Sequence, residues 1–472
     1  MSRTPVNPDQ DLSGLGVEAL AEIVFRQPLD SGLHRLMVAK RHEQGDELAA
    51  LAHLIAANAI DTFNTGTTTV AGTEVSPARQ LYMVATGYFM KGDYRVAEQW
   101  YQLVLMMEPD MAEVYQNSVV IHLHFGRHEE AEKCRARAYA LQRVFIEPVK
   151  NPLRRLLILC TGRTMGNIPY EGLLSAEKSQ RIKYIIDYAD EAEDSRLPPY
   201  DLVFNAIGEP DVAVPLTARL THFLAHCSRP VMNLPETVAR TRRHLLKERM
   251  AGIAHVQVAN CCRIDPGDLS PESLKRLLTE EGIPCPVLVR PAETHGGQGL
   301  VCCATLSQIS DQLSAGPVAH YLSHFVDTRS SDGFFRKYRV IFVDRQPYPY
   351  HLAISSQWMV HYHTSEMTEF PWKIAEERRF LQDMEAVLGK NGMAALIDIG
   401  QRLDLDYAGI DFTLLPDGQL FIFEANATML VHRVSDQGPL AYKNAHIQKI
   451  ADAFEALQAR HMANPSIPSN PV

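Results

Sequence analysis

Long apolar runs are missing from this 472-residue chain. None approaches the ~18 residues that a bilayer-spanning helix requires, so no membrane is expected as a partner. The opening residues, MSRTPVNPDQDLSG, hold no apolar segment and do not read as a secretory signal. A basic excess is missing too: the formal net charge is −10. A surface that tracks phosphate backbones needs the opposite sign, which argues against nucleic acid. None of the eight cysteines falls in a C-x-x-C pair. The adjacent pairs Cys261–Cys262 and Cys302–Cys303 would point to opposite faces of a strand, and a zinc site is not expected. Reduced, mostly buried thiols and a cytoplasmic location are the expectation.

The length exceeds what one core organises, and about three domains are expected. Hydrophobic content of 46% and charged content of 22% are ordinary for a globular protein. Residues 1–14 read as a disordered leader and 462–472 as a disordered tail. Between them, 15–150 is helical in its apolar spacing. Within it Gly92 and Gly126, Ala97 and Ala131, and Glu98 and Glu132 each lie 34 residues apart. Around Gly92, Tyr88, Ala97, Tyr101 and Pro109 fall where a tetratricopeptide unit has its aromatic, small and closing residues. A second unit keeps Tyr115, Ala131 and Ala138, with His122 and Arg135 at two aromatic positions. Residues 81–142 thus resemble two tetratricopeptide repeats. Two such units leave an apolar face open, to be covered by the preceding helices or by the rest of the chain. They imply a groove for a peptide or protein partner, or else a structural shoulder.

Pro148 and Pro152 mark a change of texture. Over 152–235, short apolar runs alternate with helical patterns, which predicts a small parallel sheet. Strands are expected at 155–160, 200–208 and 229–235, with helices at 175–189 (SAEKSQRIKYIIDYA) and 216–227. Ligands of such sheets sit beyond the strands' carboxyl ends. That placement makes Asn167, Asn205 and Glu209 substrate-side candidates, with ordinary turn chemistry as the alternative.

The stretch PVLVRPAETHGGQGLV (286–301) sets three glycines close together. It is neither G-x-x-x-x-G-K-[ST] nor G-x-G-x-x-G. The glycines stand at the tip of a strand–loop–strand, where Gly296, Gly297 and Gly299 either cradle a triphosphate with backbone N–H groups or form a plain turn. Arg290, held extended by the following proline, would add positive charge.

A second constellation is YAGIDFTLLPDGQLFIFEANATM (407–429). Asp417-Gly418 between alternating apolar segments predicts a hairpin. With a two-residue loop, Asp411 falls opposite Glu424, and Ile410, Phe412, Phe421 and Phe423 cover the other face. Two carboxylates so placed repel, which calls for a cation between them. Magnesium fits, with the amide oxygen of Asn426, two residues on, as a third hard donor. A one-residue slip through a three-residue loop would weaken this geometry, and incidental acids on a solvated hairpin are the alternative. His351, His361 and His363 are candidates for substrate or phosphate contact, with ordinary polar packing as the alternative, and Arg433, beside His432, either clamps a carboxylate or is a surface cation.

The order Arg-Pro…Gly-Gly-x-Gly, an aromatic strand, an internal arginine strand and D-x12-E-x-N resembles the ATP-grasp superfamily over roughly Pro152 to Arg460. The resemblance implies a multidomain α/β chain: the all-α repeat region, a pre-grasp α/β domain at 152–235, and an ATP-grasp fold at 236–460 with a lid near 286–318. It implies ATP and magnesium (or manganese) as cofactors, and small-molecule or peptide carboxylate and amine substrates joined through an acyl phosphate. Arg290 and Arg339 would contact the transferred phosphate. HYLSHFVD (320–327) would be the hinge that reads adenine, through His324, Phe325 and Val326, with Asp327 at the ribose. His324 stands where the family often has glutamate. Arg242 or Arg243 would replace an adenine-pocket lysine, which is not a conservative exchange. Asp411, Glu424 and Asn426 would hold the metal. A scaffold protein with a vestigial ATP site and a phosphotransferase on the same fold remain alternatives.

Overall fold

The computed structural model describes residues 12, 14–65, 76–163, 165–265, 267, 270–292, 294, 296–314, 316 and 318–463. The expected leader lies outside these except at residues 12 and 14. The expected tail does too, except at Met462 and Ala463, which end the last helix. Two compact units divide the chain, Met1–Gln142 and Arg143–Val472.

In the first unit the described helices are α1 (Val17–Arg26), α2 (Ser31–Glu43), α3 (Glu47–Thr65), α4 (Pro77–Met90), α5 (Tyr94–Met107), α6 (Ala112–His124) and α7 (His128–Leu141). Local chemistry sets their starts. Asp30 accepts the N–H groups of Gly32 and Leu33 ahead of α2, and Ser76 accepts that of Arg79 ahead of α4, where Pro77 opens the first turn. The α4–α5 and α6–α7 turns share one geometry. Gly92 and Gly126 have φ of 81° and 70°, and the next residues, Asp93 and Arg127, donate to the carbonyls of Tyr88 and His122 at 3.0 and 2.8 Å. Ala52, Ala56 and Ile60 of α3 enter one core with Leu81, Ala85, Tyr101 and Val104, so a preceding helix covers apolar surface that the later pairs present.

The second unit holds three sheets. The first contains β1 (Val144–Ile146), β2 (Arg154–Cys160), β3 (Ser179–Ile185), β4 (Leu202–Asn205) and β5 (Val231–Met232), in the order β1-β3-β2-β4-β5. All but β1 run parallel. Because β1 pairs with β3, the chain joins this unit ahead of the two prolines. The expected helix at 175–189 is not there: β3 occupies its centre. Ile182 and Tyr184 are buried while Arg181 and Lys183 are only partly so, an alternation of period two that fits a strand between β1 and β2. The continuous apolar run LLILC of β2 is buried throughout, as a central parallel strand requires.

The second sheet joins β7 (Cys261–Ile264), β8 (Val287–Pro291), β9 (Val301–Cys303) and β10 (His320–His324) in the order β7-β10-β8-β9. The third has the order β12-β11-β13-β14-β6, from β6 (Val256–Val258), β11 (Phe335–Val343), β12 (Gln346–Ser355), β13 (Tyr407–Leu414) and β14 (Leu420–Asn426). On its far face Tyr338 stacks on Phe412 at 5.4 Å and meets Phe380 of the helix Pro371–Gln382. Asn233, fully buried at the end of β5, exchanges two hydrogen bonds with the backbone of Tyr407 and so ties the first sheet to the start of β13. Gly172 lies so close to the segment after β14 that a Cβ there would sit 2.1 Å from the Val431 carbonyl. All cysteines are free thiols, and among the described residues no helix is long and apolar enough to cross a membrane.

Candidate active site

Arg339, in the middle of β11, is in register with His351 of β12 and with Asp411 of β13, and Asp411 is in register with Glu424 of β14. Two carboxylates, a guanidinium and an imidazole therefore form one row across four strands, about 14 Å long at the usual strand spacing. All four side chains line a cavity of about 430 Å³, a size that takes a small ligand.

The hairpin takes the one-residue slip through a three-residue loop that the sequence left open, and a bulge that the sequence did not reveal then restores the facing acids. Leu414 pairs with Leu420 and Phe412 with Ile422, one residue off the expected register, around a loop in which Leu415 and Gln419 are bonded. Phe423 then bulges out, and the ladder resumes with Asp411 against Glu424. In consequence Phe421 and Phe423, expected on the far face, both line the cavity with rings 5.5 Å apart. Ile410 and Phe412 are buried as expected. A second bulge falls at Tyr350, beside His351, and that ring also lines the cavity.

The acids are not left to repel each other, because basic side chains meet them. Arg339 grips Asp411 through Nε–Oδ1 at 2.6 Å and Nη2–Oδ2 at 2.8 Å, and Lys337 Nζ stands 3.4 Å from Oδ2. Arg243 donates to Glu424 Oε2 at 2.5 Å, and Arg290 lies 3.9 Å from the same oxygen. Burial pushes the Asp411 carboxyl up, but Arg339 and Lys337 outweigh it and hold it well below the usual range. Glu424 is likewise raised by burial and brought below its ordinary value by Arg243, with Asp411 opposing and Arg290 assisting. Burial and the neighbouring Arg243 push Arg290 down to about 10, against the pull of Glu424. Four cations thus face two carboxylates, an imbalance that suits an anionic ligand. For a hard divalent cation the wall offers Oε1 of Glu424, since both contacts to that acid use Oε2, whereas both oxygens of Asp411 are held by Arg339 and Lys337. Among the described residues no three acidic, histidine or cysteine side chains group to hold a metal ion.

The glycine loop stands over the same space. Gly296 and Gly297 line it, and a Cβ on Gly297, whose φ is 76°, would come within 2.7 Å of His361. Gly299 instead packs on the Pro291 ring. Arg290 is anchored to this loop through Thr294, whose hydroxyl accepts from Nε at 3.2 Å. His324, Phe325 and Val326 line the cavity, whereas Asp327 turns away to accept the Arg329 N–H at 3.0 Å. Of the two candidate arginines, Arg243 is on the wall and Arg242 is not.

Other sequence candidates are used elsewhere. Asn426 does not line the cavity; its Oδ1 accepts from the N–H and hydroxyl of Thr428 at 3.0 and 3.1 Å. Asn167 makes two bonds with the Thr161 backbone, and Asn205 donates to Asn233 O at 2.9 Å, so both hold loops. Glu209 is buried, and its charge acts on Arg243 and Arg290. Arg433 is an exposed side chain beside Asp436 and Gln448, while its neighbour His432 lines the cavity.

Sequence reasoning missed Lys337, Tyr350, Tyr362, Lys443 and Glu377. Lys337 was legible: it stands two residues before Arg339 on the same strand and so on the same face. The others had no local signal. Lys443 and Tyr362 line the cavity from short 3-10 turns, and Glu377 comes from a helix behind it.

No protein-family model matches the chain, and no curated protein matches it. Solved structures similar to it include a D-cycloserine synthetase, at 13% identity over 64% of this chain and 99% of that one, with a TM-score of 0.40. The D-alanine–D-alanine ligase of Coxiella burnetii is 12% identical over 66% of this chain and 98% of its own, with a TM-score of 0.39. A D-alanine–D-alanine ligase of Bacillus anthracis complexed with ATP is 12% identical over 66% and 99%, with a TM-score of 0.38.

Proposed function

We propose that this chain is an ATP-dependent carboxylate–amine ligase of the ATP-grasp type. The observation that carries the reading is the in-register row Glu424–Asp411–Arg339–His351 on one cavity wall, with Arg243 and Arg290 adding positive charge at its Glu424 end. The motif order in the sequence supports it independently. Adenine would lie against Phe325 and Val326 on one side and Phe421 on the other, and the phosphates would run along the arginines.

Asp411 and Glu424 would hold magnesium, with Asn426 as a third donor after release from Thr428. That ion would neutralise charge on the phosphates. Arg290 and Arg339 would bind the oxygens of the transferred phosphoryl group, where charge spreads during transfer. Arg339 is held by two hydrogen bonds to Asp411, so its fork is fixed before substrate arrives. The loop at Gly296 and Gly297 would exclude water from an acyl phosphate, which an amine then attacks to give an amide and phosphate.

The helix pairs α4–α5 and α6–α7 are read as two tetratricopeptide-like units for a peptide or protein partner, on the strength of their shared turn geometry. With all cysteines as free thiols, the reading includes a reducing, cytoplasmic setting.

Glu424→Gln tests the core of the reading. It keeps the shape and the bond from Arg243 but removes the charge. ADP release across a pool of acids and amines should fall by about a hundredfold or more, while the variant still unfolds in one cooperative transition, at a lower temperature because Arg243 and Arg290 lose a charged partner. Wild-type ADP release in that variant would refute the assignment. Hydroxylamine added to the wild type should yield a hydroxamate, which only an acyl phosphate gives.

A further inference from the structure

Beyond Arg339 the cavity continues into a compartment that the phosphates would not fill. Its wall carries His351, Tyr350, Tyr362, His432 and Lys443, with Leu440 and Val434 as apolar surface. The His351 ring is buried and stacks on Tyr362 at 5.0 Å, yet its Nε2 has no hydrogen-bond partner. A buried polar nitrogen is seldom left so. Lys443 lies on the other side of the picture: its ammonium sits 3.8 Å from the centre of the same Tyr362 ring.

The counter-ion of Lys443 faces away from this space. Glu377, fully buried, lies 3.3 Å from Lys443 Nζ, and it also accepts from the hydroxyls of Tyr362 and Tyr442 and from the Leu352 N–H. Glu377 does not line the cavity, but Lys443 does. The acid that does face this half is Asp411, and both its oxygens are already engaged by Arg339 and Lys337. A ligand ammonium would find no free carboxylate on this wall, whereas an oxyanion would meet Arg339 and Lys443 beside the His351 ring.

We infer that this compartment is a subsite for a carboxylate carried on a short apolar skeleton with no ammonium group beside it. The acid that the enzyme activates would then be a dicarboxylate or similar non-amino acid, one carboxylate at Arg339 for phosphorylation and the other at His351 and Lys443. The assignment of the first carboxylate rests on the ligase reading; the second does not.

Calorimetric titration of the full-length, nucleotide-free protein with glutarate, glutamate and inorganic phosphate tests it. Glutarate should bind, with glutamate weaker by about tenfold or more, the scale of one unmet charged hydrogen bond. His351→Phe keeps the stack on Tyr362 and should weaken glutarate by about tenfold. Lys443→Met should do the same, and because it strands Glu377, the double variant Lys443→Met/Glu377→Gln is tested beside it. Glutarate failing to bind, glutamate binding as tightly, phosphate binding weakened by His351→Phe and Lys443→Met as much as glutarate is, or affinities unmoved in all folded variants would each overturn the subsite. No ATP is present, so the two readings fail separately. Glutarate binding without ADP formation on any acid would sink the ligase and keep the subsite. ADP formation with amino acids alone, and no glutarate binding, would do the reverse.

Discussion

The two ends of the cavity balance their charges differently. At the Glu424 end the acids and their arginines all stand on the wall, facing the space and one another. At the Lys443 end the cation stands on the wall and its acid behind it. Pairs of the first kind can be taken apart by an arriving ligand, because phosphate oxygens can replace carboxylate oxygens on a guanidinium. A pair of the second kind stays together whatever binds, so its acid works as scaffold.

Breaking the scaffold pair should have the largest effect on stability. Glu377→Ala strands a buried ammonium and two hydroxyls, and should cost about 3–5 kcal/mol in urea denaturation. An effect no greater than that of a surface substitution would place Glu377 outside the core network. Next comes acid titration, which addresses the exchangeable end. Because Asp411 and Glu424 are held below their unfolded values, their stabilisation is complete above about pH 5 and drains away as pH falls through the folded values. Asp411→Asn should flatten that part of the stability–pH curve while leaving the neutral side level. Gly297→Ala should cost about 1–2 kcal/mol at the loop, from the left-handed backbone and the approach to His361. It should show as weaker nucleotide binding with little change in melting. Arg433→Ala should shift stability by less than about 0.5 kcal/mol and leave turnover intact, as an exposed pair does.

How far the sequence could be read follows the same division. The strand at 287–291, its arginine, the glycine tip and the carboxylate hairpin were legible, because each depends on neighbours in sequence and on the period of a strand. The expected cation between Asp411 and Glu424 was argued from repulsion alone. Arg243 comes from 181 residues away to meet Glu424, and a local reading cannot see it. The helix expected at 175–189 failed because flanking Ser-Ala-Glu-Lys resembles a helix start, while burial of Ile182 and Tyr184 set a strand. Asn205 and Asn167 stood on the right loops but serve the loops themselves. Lys443, Tyr362 and Glu377 converge from three segments that share no pattern.

The extra residues at Phe423 and Tyr350 decide which side chains share the cavity wall. On an unbroken pleat, positions 421 and 424 would look to opposite sides of the sheet, and an aromatic plate and a charged carboxylate three steps apart on one strand would never share a room. Trimming either irregularity would make a tidier ladder and a more regular protein. It would also scatter the groups that this wall gathers, so the imperfections are where the fold has written its chemistry.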